Sequence, residues 1–139
     1  MIHQFRQAWP LISGNAWRFL VSAALAGFSY TGVYFLLANL FLLRLGFEED
    51  FIGLFVATGA LSFAVFSLPA GILGQRWGPR LAMLRGYSVV TAGLLLLAVV
   101  PLLPTDIRAS WLIGSCALRE FGNAFYFVNS NPFLMGATS

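Results

Sequence analysis

The feature that most constrains this sequence is a run of 25 residues, Phe19 to Leu43, with no charged side chain, closed by Arg18 and Arg44. As a helix rising 1.5 Å per residue it is roughly 37 Å long, enough to cross a hydrocarbon core of about 30 Å with some tilt. Three more apolar stretches follow at short intervals. The second runs from Phe51 to Gly74 behind Glu48-Glu49-Asp50, acids that suit the exposed N–H groups and the dipole of a helix start, as caps and as charges. The third covers Leu81 to Leu103, with Arg85 one turn inside, near enough to the boundary to snorkel, and Pro101 and Pro104 at its end. The fourth begins near Trp111 and reaches about Asn131, where Pro132 interrupts it.

Composition removes the soluble alternatives. The chain is 59% apolar and 9% charged, against about 25% charged in a typical soluble domain. A soluble enzyme and a nucleic-acid binder are thereby excluded, since a scattered net charge of +3 forms no phosphate-binding stripe. One cysteine, Cys116, rules out an internal disulfide and a multi-thiolate metal site. The expected fold is all-α and integral to the membrane, with four antiparallel transmembrane helices at 19–43, 51–74, 81–103 and 109–131. Residues 1–18 are a cytoplasmic N-terminal segment and 132–139 a cytoplasmic tail. Links of about six residues make consecutive helices antiparallel neighbours. With the N-terminus inside, the cytoplasmic ends collect Arg6, Arg18, Arg76, Arg80 and Arg85, and the outside keeps Arg44 and Arg108 beside acids, as the positive-inside rule asks. Trp9, Trp17, Trp77 and Trp111 fall near span ends. Ala24-Leu25-Ala26 is similar to a signal-peptidase site, but the apolar run continues past it, so an uncleaved first span is expected.

The fourth stretch carries Arg119-Glu120, roughly 12 Å beyond Trp111 along a helix axis. Each charge costs about 2.5–3.5 kcal/mol at mid-membrane, whereas each large apolar residue of that stretch returns only about 0.3–0.6. This helix must therefore turn its charges toward protein or water. Adjacent residues lie about 100° apart, so Arg119 and Glu120 are expected in different sectors. Ser115, Arg119, Asn123 and Tyr126 form a polar stripe. Three readings stand: substrate binding or a proton relay through Glu120, an ion pair with a neighbouring helix, or a helix that starts later and leaves both charges near the interface. Tyr30 and Tyr34 share a face of the first stretch and Asn39 is a lone amide near its outer end; each lines a cavity or bonds between helices. Ala23, Gly27 and Thr31, Ala60 and Ala64, and Ser67 and Gly71 recur every four residues, a spacing suited to close helix packing. No acid pair, triad or zinc-ligand cluster is present, so enzyme activity, a cofactor and a metal are not expected.

Between the second and third stretches stands Gly71-Ile72-Leu73-Gly74-Gln75-Arg76-Trp77-Gly78-Pro79-Arg80. Gly71 and Gly74 permit close approach to a neighbouring helix, Gly78 with Pro79 forms a tight turn, and Arg76 and Arg80 hold the hairpin at the cytoplasmic face. An ordinary positive-inside hairpin accounts for that much. The order and spacing of Gly71, Leu73, Gly74, Arg76, Gly78 and Arg80 also resemble the signature loop between helices two and three of the major facilitator superfamily. Leu68-Pro69-Ala70 and Leu45-Gly46-Phe47 are similar to members as well, and the resemblance runs from about Trp17 to Met135. It implies the first four helices of a 12-helix bundle, in a secondary transporter of small molecules that works by rocking of two halves. In the family the loop's acid and bases latch those halves together. Here Gln75 replaces the acid and Pro79 the first base, which implies a weaker latch.

On that reading the partners are the lipid bilayer, an unidentified small-molecule substrate with proton coupling as one option, and C-terminal helices beyond a truncated end. The location is a bacterial-type plasma (inner) membrane. Two alternatives remain. One is an autonomous four-helix dimeric transporter of the small multidrug resistance kind, against which the acid-free first stretch counts. The other is a non-transporting membrane assembly subunit.

Overall fold

The computed structural model describes residues 14–138, helical except at three short links. Residues 1–13, with Arg6 and Trp9 of the expected cytoplasmic segment, and Ser139 lie outside the described residues. Helix α1 (Gly14–Gly27) passes into a π-helical segment (Phe28–Tyr34) and then α2 (Phe35–Arg44). Both joints, Gly27 and Tyr34, have right-handed helical angles, so the three pieces form one rod over the first apolar stretch. Then come α3 (Glu49–Trp77), α4 (Pro79–Val99) with a 3-10 turn (Val100–Leu102), and α5 (Thr105–Thr138).

Segments 20–44, 49–77 and 79–102 are each long and apolar enough to cross a membrane. α5 falls short of that apolarity because Arg119, Glu120, Asn123 and Asn129 interrupt it. The other helices supply the shield it lacks, since α5 packs on the first rod, α3 and α4. Trp111 on α5 donates its indole N–H to the Leu96 carbonyl (2.8 Å), while Gly122 faces Gly86, so α4 and α5 run antiparallel. Cys116 lies against Phe55 and Asn129 against Ala70, so α3 and α5 run parallel. The fold is all-α and membrane-embedded, with no strand among the described residues.

Several local expectations need correction. The links are shorter than six residues, and the one between α3 and α4 is Gly78 alone, at φ +84° and ψ 143°, with Pro79 opening α4. Gln75 and Arg76 thus sit in the last turn of α3 and Arg80 in the first turn of α4. Pro132 does not end α5, which continues to Thr138. Proline removes one N–H from the ladder, the donor to the Val128 carbonyl, and the helix tolerates that single loss; in the turn before it the Asn129 and Ser130 side chains donate to the Phe125 (2.9 Å) and Phe127 (2.8 Å) carbonyls. Glu48 makes no side-chain cap hydrogen bond, so the acids at the start of α3 act through its dipole. Arg85 lays its guanidinium over the Trp77 ring, 4.5 Å from the centroid.

Small residues line many of the close helix contacts and many large ones face outward, as helix packing in lipid favours. Gly59, Ala70 and Gly74 on α3 and Ala82, Gly86 and Gly93 on α4 are buried, whereas Leu61, Leu68, Leu84 and Leu95 face outward. Of the small-residue repeats, Gly71 packs against Val128, but Gly27 meets nothing within 4 Å and Ala60 and Ala64 are exposed. Fourfold spacing identified stripes without fixing which side of the helix they occupy. Two apolar clusters result, one of Leu42, Phe55, Val100, Leu112 and Cys116, the other of Ala70, Ala82, Ala124 and Phe125. Along α5 the charged pair lies between them.

The α4–α5 seam is the tightest. A methyl group on Gly86 would stand 2.6 Å from the Gly122 carbonyl oxygen, and one on Gly122 would stand 2.8 Å from the Val90 nitrogen. Because the obstacles are backbone, Gly86→Ala and Gly122→Ala are expected to cost about 1–3 kcal/mol each. Gly114→Ala, with open space around it, should cost nothing. Gly78→Ala should cost about 1–3 kcal/mol through its backbone angles. Denaturant unfolding of the four variants in mild detergent checks both expectations.

Candidate functional site

The site is assembled on α5 by two glycines. A methyl on Gly93 of α4 would lie 2.8 Å from Arg119 Cβ, and one on Gly59 of α3 would lie 3.2 Å from Cys116 Sγ and 3.5 Å from Glu120 Cγ. Their missing side chains leave room for a charged pair inside a helical bundle. Arg119 and Glu120 are each only 5% exposed.

The structure joins the two rather than sending them to separate sectors: Arg119 Nη2 donates to Glu120 Oε1. The Cα–Cβ bonds diverge, but the long arginine side chain bends back across the gap. Tyr30 of the first rod donates its hydroxyl to the same oxygen (2.7 Å), and Asn123, one turn on, donates to Oε2 (3.0 Å). Both carboxylate oxygens are thereby engaged. The Arg119 guanidinium carbon lies 4.0 Å from the centroid of the Tyr34 ring and 5.4 Å from that of Tyr30. Those two rings stack at 5.8 Å with 11° between their planes. A buried cation on two aromatic faces gains about 2 kcal/mol or more when desolvated. Arg119 Nε and Nη1 and the Tyr34 hydroxyl are nonetheless buried without a hydrogen-bond partner.

Two cavities meet this layer. One of about 430 Å³ lies between the first rod, α3 and α5, and its wall includes Tyr30, Tyr34, Asn39, Arg119, Glu120 and Asn123. The other, about 270 Å³, lies between the first rod, α4 and α5 and adds Tyr126 and Tyr87. Tyr30, Tyr34, Arg119, Asn123 and Phe127 line both and so form the partition. All seven residues singled out in the spans line one cavity or the other. Ser115 does not join them; it is buried and bonded to the Leu112 carbonyl of its own helix (2.9 Å). Sequence reasoning missed Gly59, Cys116, Phe63 and Phe127 at the cavity walls and Gly93 behind Arg119, because apolar and small residues there match those of any buried helix face.

The signature-like segment is separate, at the Gly78 end. Gly71 and Gly74 give α5 its close approach: a methyl on Gly71 would meet Val128 at 3.4 Å, and one on Gly74 would collide with Asn129. Asn129, which the sequence reading passed over, pins α3 to α5 by donating to the Ala70 carbonyl (3.2 Å). Gln75, Arg76 and Arg80 are exposed beyond this joint. Trp77 stacks on Phe125 at 6.1 Å, which ties the joint to the second apolar cluster.

No curated protein and no solved structure matches the sequence. A family model described as Major Facilitator Superfamily matches residues 2–139. With that match covering nearly the whole sequence, the chain belongs to the major facilitator superfamily of membrane transporters.

Proposed function

We propose that the larger cavity is the solute-handling site of a secondary transporter of small molecules, with Glu120 as its proton carrier and Arg119, Asn123 and Tyr30 as its positioning groups. One observation carries the reading: a charged, partly unsatisfied layer is buried at mid-helix and lines a cleft in an otherwise apolar bundle. Ionisable groups at such a depth are costly and mark solute or proton pathways. Tyr34, Asn39 and Tyr126 complete the lining. The four helices form one part of a two-half bundle of about 12, and rocking of the halves exposes the cleft to each side in turn. Further helices of the same protein close the open side of the cleft. The N-terminus is cytoplasmic, which puts Gly71, Gln75, Arg76, Gly78 and Arg80 at the cytoplasmic joint and gives them a gating role.

A pair that serves packing alone is the competing reading, favoured by the full bonding of Glu120. Glu120→Gln separates the two. In proteoliposomes screened with sugars, amino acids, carboxylates and organic cations, uptake driven by an imposed pH gradient should fall at least tenfold. Exchange of the same solute across the membrane without a gradient should persist. Gradient-driven uptake that survives the substitution removes Glu120 from proton transfer. Tyr30→Phe, which deletes one hydrogen bond to Glu120, should cost about 1 kcal/mol of stability and shift the pH dependence of uptake, a change that a packing role would not produce.

A further inference from the structure

Arg119 holds most of the layer's unused hydrogen-bonding capacity. Nε and Nη1 are buried and unpartnered, whereas both oxygens of Glu120 are occupied. A guanidinium has five N–H donors, and among the described residues Glu120 is the only carboxylate in the cleft wall. The rest of that wall is largely apolar and aromatic, with Phe35, Phe55, Phe63 and Phe127. Its volume, about 430 Å³, lies within the roughly 300–1,000 Å³ of small-molecule sites.

We infer that the cleft takes a small monocarboxylate with an aromatic or aliphatic body, whose carboxylate replaces Glu120 on Arg119 while Glu120 takes up a proton. The inference rests on the transport reading above and names its substrate class. Charge balance connects the two events. The Arg119–Glu120 pair sums to zero, and a bare anion added to it would leave an uncompensated charge in a dry site, which burial penalises heavily. In the exchange one proton from water forms an O–H bond on Glu120, the ion pair from Nη2 to Oε1 breaks, and the guanidinium pairs with the incoming carboxylate. The site carries zero charge before and after, and nothing is oxidised or reduced. A neutral solute can accept a hydrogen bond from Arg119 but supplies no charge to replace that of Glu120 and no bidentate carboxylate pairing, and a cation is repelled by the guanidinium.

The groups facing Glu120 leave that proton one destination. Arg119, Asn123 and Cys116 face it from α5, Tyr30 and Tyr34 from the first rod, and Gly59 with phenylalanines from α3. On α4, Gly93 stands behind Arg119 and Tyr87 packs its ring on Tyr126.

The test is thermal unfolding of the full chain in lipid nanodiscs with benzoate, benzamide or benzylamine. Benzoate should raise the unfolding temperature and the other two should not. Its apparent Kd should rise about tenfold per pH unit on the alkaline side, as one proton per anion requires. Glu120→Gln, which imitates the protonated acid, should bind benzoate with an affinity independent of pH. The double variant Arg119→Gln/Glu120→Gln keeps the layer neutral and should lose the benzoate response while remaining folded. An equal response to benzamide or benzylamine overturns the carboxylate assignment and leaves the cleft as a solute site. A pH-independent benzoate affinity in the native chain overturns the proton exchange. No response to any probe overturns the inference, and if gradient-driven uptake also survives Glu120→Gln, the transport reading fails with it.

Discussion

The arrangement of the bundle depends on hiding one ion pair from hydrocarbon. α5 carries that pair at its middle, and burial of two charges is compensated only when the geometry is good and the remaining polar atoms find partners. The fold meets the demand for Glu120 with three donors from two helices, and in part for Arg119 with two aromatic faces. This explains why α5, the helix least suited to lipid, lies against all the others. It also explains why the first rod presents tyrosines at the level of Glu120 rather than leucines.

The cost of placing so polar a helix centrally is met by close backbone approach. Lipid tails are as apolar as leucine, so helices in a bilayer gain little by hiding leucines from them. They gain from packing, and packing is best where side chains are absent. Gly86 against Gly122, and Gly93 behind Arg119, bring α4 and α5 together along the polar section. Asn129 and Trp111 then fasten α5 with side-chain donations to carbonyls of α3 and α4. Large residues such as Leu61, Leu68 and Leu95 are left on the outside. The lipid-facing surface thus carries large apolar residues of the kind a soluble helical bundle would bury.

Most of the helices were legible because uncharged runs of this length have few other uses, and Gly78-Pro79 declared the α3–α4 joint. Arg119 and Glu120 were legible as an anomaly for the same reason. Their pairing was not, because it depends on how far an arginine side chain bends and not on the 100° step between residues. The end of α5 was missed because Pro132 removes a single backbone hydrogen bond, the one to the Val128 carbonyl, and a membrane helix tolerates that loss and runs on to Thr138. The small-residue stripes were visible as spacings, but their orientation depends on which neighbour each helix finds. Gly59 and Gly93, which make room for the pair, carry no local signal that separates them from Gly53 or Gly114, where nothing lies within 4 Å.

The π-helical segment, which the sequence reading did not foresee, has a geometric reason. Tyr30, Tyr34, Ala38 and Leu42 are spaced four apart, and all face the bundle, with Ala38 buried and Leu42 fully so. In a uniform α-helix of 3.6 residues per turn, each step of four overshoots a full turn by about 40°, so three steps would carry Tyr30 about 120° away from Leu42. A π segment, with hydrogen bonds from i to i+5 such as Phe35 N–H to the Tyr30 carbonyl, winds less per residue and offsets that drift. The local unwinding of residues 28–34 therefore keeps the two tyrosines on the side that meets Glu120 and Arg119. Such insertions recur at functional sites because they re-aim side chains without breaking a helix. Here the re-aimed pair forms the first rod's share of the wall between the two cavities, and the rod owes its contribution to the polar layer to this one irregularity.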